Sequence, residues 1–248
     1  MKVEDSITDS VAGEKLSIII PVFNEAATLK PFLLGLQELL RLQIEQQIVQ
    51  QRVQCEIIVV DGGSNDNTRQ IAESHCDKLL VSNTSRAIQM NAGAQHATGT
   101  ILLFLHADTI LPTDFFNLIL NGINKERKFW GRFNVRLSGG EVMFRLVENM
   151  INIRSQLTGV ATGDQAIFVR RKQFNEIGGF PEIDLMEDVA LSKKLKKIES
   201  PLCISSRVVT SSRRWEQYGV WKTIFLMWRL RLAYFLGKNP NELKKKYL

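Results

Sequence analysis

The chain has 248 residues, 44% hydrophobic and 23% charged, with a formal net charge of +6; this suits one large domain with a sizeable core and excludes wholesale disorder. Cys55, Cys76 and Cys203 lie far apart with no CxxC pair, which excludes zinc and disulfide scaffolds and favours a reducing compartment. Residues 1–14 form a polar, acidic tail without the apolar stretch of a signal peptide, and no apolar run reaches the ~18 residues of a spanning helix, so the expected location is cytoplasmic.

Four short apolar runs follow: Leu16 to Val22, Ile57 to Val60, Lys78 to Val81 and Ile101 to Leu105. Runs apolar on both faces suit strands of a parallel sheet covered by helices. Between the first two, Leu29, Leu33, Leu36, Leu40 and Ile44 recur at helical spacing, with Pro31 expected in the first turn and the Gln-rich stretch to Gln54 extending the helix. Asp66 or Asn67 is a candidate cap for a helix through His75, and Thr113 for another. Later come a candidate edge strand (129–137), short strands (165–169, 202–205 and 208–210), a helix (187–198) and a long aromatic segment (215–236). The expected fold class is α/β, with a main domain over 15–212 and a C-terminal aromatic and basic segment, 213–248, packed on it.

Strand–helix alternation places ligands beyond the carboxyl ends of the strands, and polar residues gather there. Asn24 and Glu25 follow the first strand, Asp61-Gly62-Gly63-Ser64 the second, and His106-Ala107-Asp108 the fourth. Asp61 with two glycines either accepts from a nucleobase N–H or closes a turn. Asp108 is placed to hold Mg²⁺ or Mn²⁺ across two phosphates, which needs only one or two protein carboxylates. His106 is either a second ligand, better suited to Mn²⁺, or a loop-ordering residue. Arg86 opens a helix where phosphate meets free N–H groups, or is a surface cation. Glu187-Asp188 open another helix, as a general base or as an acidic first turn. Arg213-Arg214-Trp215 suit pyrophosphate and sugar stacking, or a loop ion pair beside a core Trp.

Taken together, the motifs from Ser17 to Leu195 resemble glycosyltransferase family 2, whose members are inverting enzymes with the GT-A fold: a Rossmann-like, mostly parallel sheet flanked by helices. Ser17 to Glu25 looks like its first strand and loop. Asp61 to Thr68 resembles its nucleoside-holding segment, and His106-Ala107-Asp108 occupies the place of its DxD motif. Gly163-Asp164-Gln165-Ala166, Gly178-Gly179-Phe180 and Glu187-Asp188 resemble its acceptor-side motifs. The short length and the His-Ala-Asp variant look like a small subfamily linked to arsenosugar biosynthesis.

The resemblance implies nucleoside and phosphate contacts from Pro21, Asn24, Glu25, Asp61, Gly62, Arg86 and Ala107. It implies a divalent metal, Mg or Mn, at Asp108 with His106. It implies Asp188 as base supported by Glu187, and Asp164, Gln165, Arg214 and Trp215 around sugar or acceptor. The implied reaction moves a sugar from a nucleotide-diphosphate sugar, first a UDP-sugar, to an acceptor hydroxyl with inversion. Ser211 replaces the Gln of the QxxRW motif, which argues against a processive synthase. The rival readings are a non-catalytic nucleotide-sugar or membrane-surface binder, and a nucleotidyltransferase. The latter lacks its glycine-rich loop here.

On the C-terminal segment, Trp221, Phe225, Trp228, Leu232 and Phe235 share one helical face flanked by cations. That face suits a core contact, a homodimer or the inner surface of a membrane, where a lipid-linked acceptor would be met. Nucleic acid is not an expected partner, because only net charge speaks for it.

Overall fold

The structure is a computed structural model that describes residues 14–46, 54–240, 242 and 243. β1 (Lys15–Val22), β2 (Gln54–Asp61), β3 (Lys78–Val81) and β4 (Ile101–Phe104) run parallel in the order β3-β2-β1-β4. They are apolar on both faces because each face is covered. Ile18, Ile20, Ile57 and Val59 join Leu29, Leu33 and Leu36 of α1 (Ala26–Gln46) in one layer. Their neighbours Ile19, Ile58 and Val60 join Ala87, Met90 and Ala94 of α3 (Arg86–His96) in the other. The two-residue alternation of strand side chains thus splits one apolar run between two cores.

The first helix begins at Ala26, so Pro31 lies in its second turn rather than its first. The proline ring removes one helical donor there, on a stretch where Ala27 and Pro31 are both exposed. Most of the Gln-rich extension lies outside the described residues. The second helix, α2 (Thr68–Glu73), is shorter than expected.

β4 passes through Leu105, His106, Ala107 and Asp108 into β5 (Thr109–Ile110), the far edge of the sheet. Three strands stand between them: β7 (Phe168–Arg170), β6 (Trp130–Leu137) and β8 (Leu202–Thr210). Five residue steps reach at most ~18 Å, whereas four strand spacings of ~4.8 Å make ~19 Å. The sheet therefore curls around this loop. β6 is interior, not an edge: it pairs antiparallel with β7 and parallel with β8. The two short strands expected over 202–210 are one strand, kinked where its register against β6 shifts between Phe133 and Asn134.

α4 (Phe115–Asn124) follows β5, with Asp114 rather than Thr113 at its N-cap position. α5 (Val142–Thr158) has no counterpart in the sequence reading. Its inward face carries Glu148, Asn152 and Ser155 among apolar residues, which breaks the apolar period. Two of those polar groups finish the sheet: Asn152 bonds both the N–H and the C=O of Val135, at 2.8 and 3.0 Å, and Glu148 accepts from Leu137 N–H at 2.6 Å. α6 (Arg171–Glu176) and α7 (Glu187–Lys196) cover the other layer. The aromatic segment is two helices, α8 (Arg213–Tyr218) and α9 (Val220–Phe235), broken at Gly219 with φ +80°. α9 packs through Leu230 against Met186 and Val189, and through Val220 and Ile224 against Leu137 and Phe144.

Two glycines with opposite surroundings test this packing. A Cβ on Gly131 of β6 would stand 2.5 Å from the Leu202 carbonyl oxygen and 2.5 Å from the Phe168 ring. Gly131→Ala is expected to destabilise the fold by ~1–3 kcal/mol. Gly35, inside α1, has nothing within 4 Å of such a Cβ, so Gly35→Ala is expected to stabilise by ~0.5–1 kcal/mol. Urea midpoints of the two variants measure both effects.

Candidate active site

The loops after β1 and β2 are stitched to each other. Asn24, at φ +53°, donates its N–H to Ser64 Oγ at 2.8 Å and accepts from Asn65 N–H at 2.9 Å. Glu25 N–H reaches Thr68 Oγ1 at 2.8 Å, and Ala26 N–H reaches Asp66 at 3.1 Å. Asp61 ends β2 fully buried and accepts from Gly63 and Ser64 N–H, both at 3.0 Å, and from Arg69 Nε at 2.7 Å. Burial opposes its ionisation, but Ser64, Arg69 and the two backbone donors outweigh burial and hold the carboxyl below its usual range. Its side chain thus shapes the loop.

Gln89 of α3 donates to the carbonyls of Val22 and Val60, both at 2.8 Å, and its side chain lies beneath Gly62, where a Cβ would stand 3.1 Å from it. Thr84 donates to the Gly62 carbonyl. Asn91 exchanges two bonds with the Phe180 backbone, each 2.9 Å, and a Cβ on Gly179 would approach its Oδ1 at 2.7 Å. The Gly178-Gly179-Phe180 motif therefore fastens the α6–α7 connection to α3.

Across the strand ends lies a cleft of about 430 Å³. One end is polar: Arg86, His106, Asp164, Glu187 and Asp188 line it. Gly163 lets the His106 ring lie close, since a Cβ there would stand 2.6 Å from His106 Cε1. His106 Nδ1 is 3.5 Å from Asp164 Oδ1. Asp188 Oδ2 accepts the Gly163 N–H at 2.8 Å, so the base of α7 and the 3₁₀ turn Gly163–Gln165 are joined through this carboxylate. Just before it, Met186 holds a left-handed conformation at φ +69°, unusual for a residue with a side chain, and delivers Glu187 and Asp188 into the cleft.

The remaining sequence candidates divide. Trp215 lines the cleft, whereas the Arg214 guanidinium lies 5.6 Å from the Tyr218 ring. Gln165 is fully buried, accepting from Thr162 N–H at 3.2 Å and donating to the Phe133 carbonyl at 3.3 Å. Asp108 lines a separate apolar groove under α1, together with Ala107, Phe32 and Leu36. One Asp108 oxygen is 3.7 Å from Arg213 and the other 3.3 Å from Thr109 Oγ1. Among the described residues no three His, Cys, Asp or Glu side chains converge on one point.

Sequence reasoning missed Arg154 of α5 and Arg231 of α9 as members of the cleft. Arg154 lies on the helix that the pattern did not reveal. Arg231 is one of the cations flanking the aromatic face. Burial, and then the nearby charge of Arg231, bring the Arg154 guanidinium down to about 10, still charged at neutral pH; burial also lowers Arg231.

Desolvation opposes ionisation of Asp164, yet His106, Arg86 and Arg231 hold its carboxyl low. Burial, then the Asp188 charge, push Glu187 up to about 7, against the pull of Arg86. Between its ordinary value of 4.5 and about 7, the folded state therefore binds more protons than the unfolded state, and stability falls as pH rises through that window. Glu187→Gln is expected to remove this fall. Denaturant midpoints of wild type and variant across pH 4.5 to 8 measure it, and parallel curves would mean Glu187 titrates normally.

The chain resembles known proteins in sequence and fold. It is 29% identical over 167 residues to the undecaprenyl-phosphate 4-deoxy-4-formamido-L-arabinose transferase of Klebsiella pneumoniae strain 342, covering 63% of this chain and 48% of that one. It is 28% identical over 120 residues to a dolichyl-phosphate beta-glucosyltransferase of Trichomonas vaginalis, covering 46% and 36%. The chain thus spans between about a third and a half of the length of these two relatives. The fold matches S. aureus TarS 1-349 at TM-score 0.57 and 20% identity, over 80% of this chain and 60% of that one. It matches the mannosyltransferase PcManGT of Pyrobaculum calidifontis, solved with GDP-Man and Mn²⁺, at TM-score 0.55 and 22% identity, over 92% and 66%. The curled α/β sheet flanked by helices is that of GT-A glycosyltransferases. The profile described as "Glycosyl transferase family 2" matches residues 17–178, most of the chain, and the chain belongs to that family.

Proposed function

We propose that the chain transfers a sugar from a nucleotide-diphosphate sugar, a UDP-sugar in the first instance, to an acceptor hydroxyl with inversion. One observation carries this reading. Asp188 stands half-exposed in the wall of a 430 Å³ cleft, oriented by the Gly163 N–H at 2.8 Å, with Glu187 and Asp164 beside it. A fixed carboxylate at such a wall can take the proton of a hydroxyl as its oxygen attacks the anomeric carbon. The nucleotide diphosphate then leaves from the opposite side, towards the strand-end loops.

The donor side is supported by Arg86, which opens α3 and lines the cleft, by Pro21 near the end of β1, and by the stitched loops carrying Asn24, Glu25 and Gly62. Asp61 acts there through the loop it shapes. A divalent cation fits Asp108: its oxygens have only long contacts, and a Mg²⁺ or Mn²⁺ ion between two phosphates needs little more than one carboxylate. When bound, such an ion neutralises charge on the leaving diphosphate. His106, set against Asp164, serves better to order the acceptor side. Calorimetric titration with UDP, GDP and CDP, with and without Mn²⁺, tests the donor site. Metal-assisted binding of one nucleotide, lost in Asp108→Ala, is expected. Asp188→Asn is expected to keep that binding and to lose transfer by ~10²–10⁴-fold; transfer near the wild-type rate would remove Asp188 from the role of base.

The exposed faces of α9 and α5 support contact with an anionic membrane surface. Trp221 is 69% exposed and Phe225 74%, and Leu232 and Phe235 continue their stripe. Val142, Leu146, Ile153 and Leu157 expose a second stripe on α5. Lys222 and Arg229 border the first, the arrangement of an interfacial helix. No helix among the described residues is long and apolar enough to cross a membrane. The wild-type protein is expected to float with phosphatidylglycerol vesicles and a Trp221→Ser, Phe225→Ser variant to sediment. Sedimentation of both, with a dimer in light scattering, would make this face a contact between copies of the chain.

A further inference from the structure

The cleft holds two cations that the transfer chemistry does not use. Arg154 and Arg231 face it from α5 and α9, close enough for the charge of one to act on the other. Nε and Nη2 of Arg154 are buried without any hydrogen-bond partner. A buried charged donor left unpaired is costly, and the side chain that carries these donors lines the cleft, where a small turn of the guanidinium brings them to an acceptor from outside the chain. The neighbouring carboxylates do not fill that need. Asp188 is bonded to Gly163 and Val189 N–H at 2.8 and 2.6 Å, and Asp164 faces His106.

We infer that Arg154 and Arg231 form an anion subsite for the phosphate of an amphiphilic acceptor, whose apolar chain runs out between α5 and α9. Two adjacent planar guanidiniums present donors that match the oxygens of a phosphate in bidentate fashion. Beyond them the walls are apolar: Val147, Met150 and Ile151 on one side, Ile224, Met227 and Trp228 on the other. Such walls cover an alkyl chain and give a free phosphate ion nothing further to bond. The opening lies between helices whose outer faces expose the two apolar stripes. Arg86 enters the same cleft from the opening of α3, whereas this pair comes from α5 and α9. The inference rests on the transfer reading for the role of acceptor; the phosphate anchors that molecule beside Asp188.

Binding without turnover tests it. The full chain is titrated with decyl phosphate below its aggregation concentration, with decanol, with inorganic phosphate and with UDP plus Mn²⁺, following heat and tryptophan emission. Wild type is expected to bind decyl phosphate at least tenfold more tightly than decanol or inorganic phosphate. Arg154→Gln, Arg231→Gln is expected to lower decyl phosphate affinity to that of decanol and to leave UDP affinity within twofold. Arg154→Lys, Arg231→Lys keeps the charge without the planar fork and should fall between; it also serves as the reading if the glutamine pair does not fold. Undiminished decyl phosphate binding in both variants would overturn the subsite. Loss of UDP binding in step with decyl phosphate would assign the pair to the donor instead, and inorganic phosphate binding as tightly as decyl phosphate would remove the lipid source. Because no transfer is measured, these outcomes stand apart from the fate of Asp188→Asn.

Discussion

The four residues from Leu105 to Asp108 constrain the whole molecule. They join β4 in the middle of the sheet to β5 at its far edge, with β7, β6 and β8 between. So short a link is compatible only with a curled sheet, and the curl gathers the later elements around the end of β4. His106 projects from this link into the cleft. Gly163 then accommodates its ring, and Asp188 bonds Gly163. A chain of contacts thus runs from a strand end to the base of α7 through residues more than eighty positions apart. Thr109 against Thr210, with hydroxyls 3.1 Å apart, closes the same curl at the sheet edge.

Electrostatics within the cleft are graded. Outside it, at the end of β2, buried Asp61 is held below its usual range by Ser64, Gly63 and Arg69. In the middle, two adjacent helix-opening carboxylates differ: Glu187 is buried and pushed up, while Asp188 is half-exposed and oriented by a backbone donor. Environments that treat two neighbouring carboxyls differently are how acid and base roles are divided in a single site. Arg154 and Arg231 line the same cleft, desolvated by burial while Asp188 and Asp164 favour their charge. Local strain accompanies this arrangement: Asn24, Ala166 and Met186 all take positive φ next to the cleft or its loops. Conformations of that kind persist where surrounding structure over-determines them.

The two faces of α9 explain why its pattern reads ambiguously. Leu230 and Tyr234 pack with the body of the protein, while Trp221, Phe225 and Leu232 remain outside. A helix apolar all round signals burial on every side in a water-soluble domain, and here the outer half stays exposed. Met227, Trp228 and Arg231 of the same helix line the cleft, which links that exposure to the site.

The sequence by itself determined the four apolar strands, the helices between the first of them, the polar tips at their carboxyl ends and the family to which these belong. All are local: strand length, two-faced apolarity and turn residues are written in consecutive positions, and neighbours in the chain remain neighbours in the fold. Only the tertiary structure decided the rest. The interior place of β6 depends on pairing with β7 and β8, nearly forty and some seventy residues away. α5 breaks the apolar period because Glu148 and Asn152 face inward to bond the backbone of Leu137 and Val135 on β6, a pairing that sequence does not show. The cleft needed Arg154 and Arg231 to meet from two helices nearly eighty residues apart. Asp61 bonds Gly63, Ser64 and Arg69, and Gln165 bonds Thr162 and Phe133, contacts that the sequence does not show. Which partner a polar group finds is set by packing in three dimensions, and a one-dimensional pattern records only that the group is there.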